Sequence, residues 1–362
     1  MKKLTIAAAL MVLVCSLQAQ FTYSTNADGT LSLTGYTGSG GAVTIPGVVD
    51  GRTVTIIAEA AFEYNHDITA VSIPDSVTDI QGYAFYDCTN LASVPLPAHL
   101  NSIGDSAFLY CLSVTNLALP DGLTYIADQS LRDCIALTNI SIPGTVTYLG
   151  IQALTGNSKL LAINVDPLNP VYSSLDGVLF DKARTMLIQY PGGKAGTYRI
   201  PDSVTTFQAG PFASCIGLTG LIVPKGIANF GSFTCFYCSN LTAVYFMGNP
   251  PSAGTGALDF TPAIVYYLPG TTGWSSMFHG HPTVLWNPEI SAIDPNFDVN
   301  GAQFGFNLTG TSNLTVVVEA CTDLANPNWT PVSTNILLGG PSHFADLQST
   351  NHSMRFYRLR SP

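Results

Sequence analysis

Charge is scarce in this chain. Of its 362 residues only 10% are Asp, Glu, Lys or Arg, against roughly a quarter in an average soluble protein. A folded surface must then be covered largely by Ser, Thr, Asn and Gly, and with abundant Gly, Thr and Tyr this points to a β-rich extracellular protein. Basic residues are scarcest, 13 Lys and Arg against 23 Asp and Glu. Gripping a phosphate backbone takes clustered cations, so the balance excludes a nucleic-acid partner and attraction to an anionic membrane surface. Long apolar runs are also missing. The longest, Leu4 to Leu17, is too short for a comfortable membrane span. It follows Lys2 and Lys3 and precedes Ala19, so residues 1–19 read as a secretory leader. A lipid anchor at Cys15 is disfavoured by the bulky Val14 before it. Removing Lys2 and Lys3 with the leader leaves 11 basic residues against 23 acidic, a net charge of −12.

Catalytic signatures are absent as well. The chain has no G-x-S-x-G elbow, no H-E-x-x-H helix and no G-x-x-x-x-G-K-[ST] loop. The Gly-rich stretch at 35–41 lacks the lysine of a phosphate cradle. His279 and His281 form an H-G-H, yet no Cys or acid stands at ligand spacing beside them. Asp294, Asn296 and Asp298 begin like a calcium loop, but Val299 and Gly305 occupy the positions that need Gly and Glu. Carboxylates such as Asp75, Asp87 and Asp133 punctuate turns; stacking could bring acids together, but no pair stands out as the two facing carboxylates a glycosidase requires. A non-enzymatic protein without cofactor or metal is expected.

What the chain does have is a repeat. Units begin at Ile68, Leu91, Val114 and Leu137, 23 residues apart. Pro74, Pro97, Pro120 and Pro143 form one column; Ile80, Ile103, Ile126 and Leu149 another; Phe85, Phe108, Leu131 and Leu154 a third; Cys88, Cys111, Cys134 and Asn157 a fourth. An earlier unit carries Pro46 and Phe62 and is five residues longer between them, with VVDGRT supplying a turn. Later units keep the register through Pro201 and Pro224, and Cys215 and Cys238. In L-x-x-I-x-I-P the near alternation of apolar residues marks a short strand, and Pro ends it. S-V-T-x-I gives a second extended piece. The A-F-x-x-C segment then turns the chain, with a single helical turn as one reading. No unit buries its own apolar face, so the units must stack as a solenoid.

The I-P-x-S-V-T-x-I-x-x-x-A-F-x-x-C-x-x-L signature resembles the BspA-type leucine-rich repeat, and the interruption beginning INVDPLNPVYSSLDG looks like a recurrent insert of that family. The resemblance implies a curved, mainly β repeat domain of short parallel strands on a secreted or surface-displayed bacterial protein. It also implies a role in binding other proteins or in attachment. The expected organisation is a leader at 1–19, a β-hairpin cap at 20–42 turning at Asp28-Gly29, repeats at 43–288, and an antiparallel β-sandwich-like domain at 289–362. The last resembles C-terminal domains of secreted bacterial proteins ending in R-F-Y-R-L. Trp329, Phe356 and Tyr357 there make a glycan-binding reading the alternative, and a purely structural extracellular spacer is a further one.

Two details carry the functional expectations. First, Cys235 and Cys238 form a C-x-x-C that suggests redox or zinc chemistry. Cys238, however, falls in the Cys column and Cys235 in the Phe column, so both are expected as buried, reduced core thiols. Second, the residue two before each Pro points away from the core. Up the stack these are Ser72, Pro95, Ala118, Ser141 and Asn164, then Arg199, Ile222, Tyr245 and Tyr267. The last four form an expected partner-binding stripe; aromatic stacking that stabilises the ladder is the other reading. The expected partner is an extracellular protein or a glycan.

Overall fold

The computed structural model describes residues 20–291, 304–311, 314–337 and 342–360. The leader at 1–19 and the residues Asp294, Asn296 and Asp298 lie outside the described residues.

Each 23-residue unit is one coil of a stack, and three sets of hydrogen-bonded ladders, not all of them continuous, join neighbouring coils. The first is built by the T-x-I pieces. Parallel pairing sets Leu33 beside Ile57, then Ile80, Ile103, Ile126 and Leu149, all buried. Strands here are only two residues long, such as Ser102–Ile103 and Tyr125–Ile126, so neighbouring rungs rather than strand length supply the cooperativity. The second ladder is built by the I-x-I-P pieces: Gly41–Thr44 on Ile68–Ser72, Asn139–Ile142 on Ala162–Val165, and a longer run in which Tyr198, Leu221, Val244 and Val265 pair in succession. The prolines turn the chain between the two ladders. The carbonyls of Pro74, Pro97 and Pro120 each accept from the amide three residues on, at 3.0 to 3.1 Å.

The third ladder lies in the A-F-x-x-C segment, which is tighter than a helical turn. Tyr83, Phe85 and Asp87 donate their amides to the carbonyls of Asp105, Ala107 and Leu109 on the next rung, at 2.7 to 2.9 Å. Ser106, Phe108 and Tyr110 do the same to Asp128, Ser130 and Arg132. Tyr83, Asp87, Ser106, Tyr110, Gln129 and Asp133 all have φ between 53° and 63°. Left-handed backbone costs a non-glycine residue roughly 1 kcal/mol. The rung-to-rung hydrogen bond it permits offsets that cost on every coil. Phe62, Phe85 and Phe108 stack inside this turn with centroids 4.9 and 5.1 Å apart.

At the N-terminus Phe21–Thr25 pairs antiparallel on Leu31–Tyr36, which is itself the first rung of the first ladder. VVDGRT forms a tight hairpin, with Asp50 and Gly51 both at positive φ. The interruption folds as a meander of Tyr172–Leu175, Val178–Asp181 and Met186–Gln189, and the last of these rejoins the first ladder beside Thr206–Phe207. Side chains carry the stack across it. The Tyr172 hydroxyl accepts the Leu149 amide at 2.8 Å, and Tyr190 takes the Phe-column place before Phe212, its amide donating to the Pro211 carbonyl. Beyond the last rung, two antiparallel sheets, Glu289–Ser291 with Phe304–Thr309 and Ser342–Asp346, and Thr330–Ile336 with Thr315–Cys321 and Phe356–Arg360, form the C-terminal β unit.

Candidate recognition surfaces

The cysteine column is a row of hydrogen-bond donors. The thiols of Cys88, Cys111, Cys134 and Cys238 donate to the carbonyls of Phe62, Phe85, Phe108 and Phe212, each 26 residues back, at 2.9 to 3.2 Å. Asn157, the one non-cysteine in its part of the column, makes the same bond to Leu131 through Nδ2 at 3.0 Å. The column therefore asks for a small donor, and a thiol serves only while reduced. All seven described cysteines are free and buried. Burial pushes the thiols of Cys88 and Cys134 up to about 12 and raises those of Cys111, Cys215 and Cys235 well above their ordinary range. The Cys235 amide donates to the Ala257 carbonyl, as Phe85 does to Ala107, so Cys235 stands in the Phe column. Low thiol pKa marks reactive cysteines; Cys88, Cys111, Cys134, Cys215 and Cys235 have the opposite character.

The expected stripe divides in two. Its N-terminal half, Ser72, Pro95, Ala118, Ser141 and Asn164, is exposed. Arg199, Ile222 and Tyr245 do pair on successive strands, but the residue beside Tyr245 is Tyr266, not Tyr267. The last rung is short: Leu268, not Pro269, falls beside the column of Met247, which shifts the alignment by one. Tyr267 faces the other way and stacks on Trp274 at 5.3 Å. Nor is this end of the face open. Tyr245 is 4% exposed and Tyr266 8%. Both pack into one cluster with Phe306, Leu308, Val316 and Phe344 of the C-terminal sheets. Arg199, Ile222 and Tyr245 border a pocket of about 590 Å³ whose other walls include Trp286, Arg358 and Arg360. The aromatic end of the stripe is thus a seat for the C-terminal unit.

In that unit Glu319 is buried between Arg358 and Arg360, at 2.7 and 2.6 Å. Burial raises its pKa, and the guanidinium hydrogen bonds outweigh that and hold it below the usual range. The aromatic platform expected there is occupied: Arg358 lies over the Trp329 ring at 4.5 Å, and Tyr357 packs on Phe304 and bonds Asp346 through its hydroxyl at 2.8 Å. His281 bonds the Ala263 carbonyl through Nδ1 at 3.0 Å. Among the described residues no group of three or more His, Cys, Asp or Glu is placed to hold a metal ion, and no described helix is long and apolar enough to cross a membrane.

The exposed aromatics lie elsewhere, on the outside of the third ladder. Tyr64, Tyr83 and Tyr110 are exposed and meet edge to face through Tyr86, at 5.2, 5.6 and 5.9 Å. Farther along, Phe233, Tyr237 and Phe260 are exposed, Tyr237 stacking on Phe260 at 4.3 Å. The sequence holds a signal for this face. Two residues beyond the Phe column stand Tyr64, Asp87, Tyr110, Asp133, Gly156, Ser214, Tyr237 and Phe260, a column whose direction could not be assigned without the left-handed turn.

A family model for the BspA-type leucine-rich repeat region matches in six copies, over residues 55–174 and 194–268. The chain belongs to the BspA-type leucine-rich repeat family. Solved structures similar to this BspA-type chain include a leucine-rich repeat protein of T. pallidum, 20% identical over 73% of this chain and 89% of that one, with a TM-score of 0.39. The pneumococcal vaccine antigen PcpA is 17% identical over 74% and 96%, with a TM-score of 0.47. A leucine-rich cell surface protein of Faecalibacterium prausnitzii is 23% identical over 68% and 93%, with a TM-score of 0.36. No curated protein matches the chain.

Proposed function

We propose that this chain is a non-enzymatic, secreted or surface-displayed binding protein that holds a protein partner against the turn face of its solenoid. In this reading residues 1–19 direct export, 20–42 cap the stack, 43–288 form the recognition body, and 289–362 form a separate β unit. The supporting observation is the ridge of Tyr64, Tyr83 and Tyr110 on consecutive rungs. Scattered exposed rings need no explanation, but contiguous ones beside a polar surface mark interaction sites, and Tyr is enriched among the residues that dominate binding energy. Family membership and the likeness to a protein described as a cell surface protein support the location.

The test is affinity capture and cross-linking of extracellular proteins with the chain from Gln20 to Pro362, beside a Tyr64→Ala and Tyr83→Ala double variant. A partner retained by the wild type and lost by the variant, with unchanged melting, supports the reading. A partner equally retained by both would move the site off this ridge, and no partner at all would favour a structural spacer.

A further inference from the structure

The third ladder breaks at the insert, and the break leaves a groove. Along the turn the residues one and two places beyond the Phe column are large at both ends and small in the middle: Thr155, Gly156, Pro191, Gly192, Ala213 and Ser214 occupy places held elsewhere by Tyr86, Tyr110, Phe236 and Tyr237. At Gly192 nothing larger fits, because a Cβ would stand 2.7 Å from the Asn157 carbonyl oxygen. The result is a groove of about 550 Å³. Tyr110 walls it on one side and Phe233, Phe236 and Tyr237 on the other. Five rung steps separate Tyr110 from Tyr237, about 24 Å at ~4.8 Å each.

Its polar groups are flat and already ordered. Arg132 Nε donates to Asp133 at 3.2 Å, and its Nη1 donates to the side-chain oxygens of Gln129 and Gln152 at 3.2 and 3.0 Å. The guanidinium is therefore matched by a carboxylate. Both amide oxygens accept from the Arg, so the guanidinium fixes the two side-chain amides in place. Burial raises the Asp133 carboxyl, and Arg132 opposes the rise.

We propose that this groove binds an uncharged oligosaccharide, with pyranose rings on the aromatic walls and hydroxyls on the Arg132, Asp133 and Gln152 network. This goes beyond the protein-binding reading and uses a different part of the turn face. Aromatic rings attract the C–H face of a sugar, and fixed planar donors and acceptors suit paired hydroxyls. Other ligand classes fit worse. A polyanion would find a single cation, already paired. A peptide adding as a strand needs free backbone acceptors, but the Pro211 carbonyl is taken by the Tyr190 amide and by Gln189 Nε2. An apolar helix would lie on Arg132, Asp133, Gln152 and Ser214.

The experiment uses the chain from Gln20 to Pro362 with neutral gluco-, manno-, xylo- and chito-oligosaccharides of three to six rings, titrated calorimetrically, beside sulfated counterparts. At least one neutral series should bind, and Tyr237→Ala should weaken it about tenfold or more. A gap-filling variant, Ser214→Tyr, guards against misfolding. Tyr already occupies this column at positive φ in Tyr64, Tyr110 and Tyr237, so Ser214→Tyr should keep the wild-type melting temperature and abolish sugar binding. Binding that survives Ser214→Tyr, binding of sulfated sugars only, or no binding by a folded chain would each overturn the proposal. The Tyr64→Ala and Tyr83→Ala variant should bind sugar normally, so the two readings fail separately.

Discussion

Replacing Tyr245 with Ala separates two roles for the same side chain. On an open stripe it would contribute to binding and little to folding. In the structure it is 4% exposed, stacked on Tyr266 at 4.9 Å and set edge-on to Trp286 at 6.3 Å. An aromatic side chain buries about 150–250 Å², and at about 25 cal/mol per Å² that is worth ~4–6 kcal/mol. Ala retains part of it, and the unfolded chain already shields some. The expected loss is therefore ~3–5 kcal/mol, the range found for aromatic-to-Ala changes in cores. The loss should appear in urea denaturation of the chain from Gln20, followed by tryptophan fluorescence, since Trp286 lies beside the site. Proteolysis should also release the C-terminal unit sooner. A change below about 0.5 kcal/mol, the scale of ordinary surface substitutions, would refute the seating of the C-terminal sheets on this face.

Other consequences follow from the buried polar groups. Cys111→Ser should cost little beyond lost packing because the hydroxyl can still donate to the Phe85 carbonyl, whereas Cys111→Ala should cost about 1 kcal/mol more; equal melting of the two would remove the donor role of the column. An unfolded thiol ionises near about 8.5, while folded Cys88 and Cys134 sit at about 12. The folded state favours the protonated form, so this contribution is complete below the unfolded value. It falls by about 1.4 kcal/mol per pH unit for each thiol as pH rises from there toward 12. Denaturation midpoints between pH 8 and 10.5 should decline more steeply for the wild type than for a Cys88→Ser and Cys134→Ser variant, and parallel curves would contradict the assignment. Asn169 is fully buried; it donates to the Pro143 and Val146 carbonyls and accepts the Val171 and Tyr172 amides, at 2.8 to 2.9 Å. Asn169→Ala strands several of these groups at ~1–3 kcal/mol each, so calorimetry should show a loss of at least ~3 kcal/mol, and near-wild-type melting would mean the insert is held by other contacts.

The inward side of the repeat was readable because inward positions tolerate few residues. Phe85, Ile103, Pro120 and Cys134 recur every 23 places, and each is a packing or turn requirement repeated on every rung. The same regularity turned Cys235 and Cys238 from an apparent redox pair into two adjoining columns. Tyr267 shows where counting fails: one shortened rung moved it to the opposite face, and period alone carries no record of which rung gives up residues. The turn-face groove was hidden for a different reason. It comes from small side chains on rungs that the insert makes adjacent, and Gln152 and Ser214 are 62 residues apart in the chain.

The sequence alone determined the coil, its core columns and the burial of its column thiols, because those follow from local periodicity and from burial that each rung imposes on the next. Only the tertiary structure decided which outer faces stay open. That depends on where the C-terminal sheets settle and on what the insert leaves uncovered, and both are contacts between segments far apart in the chain that no local pattern encodes.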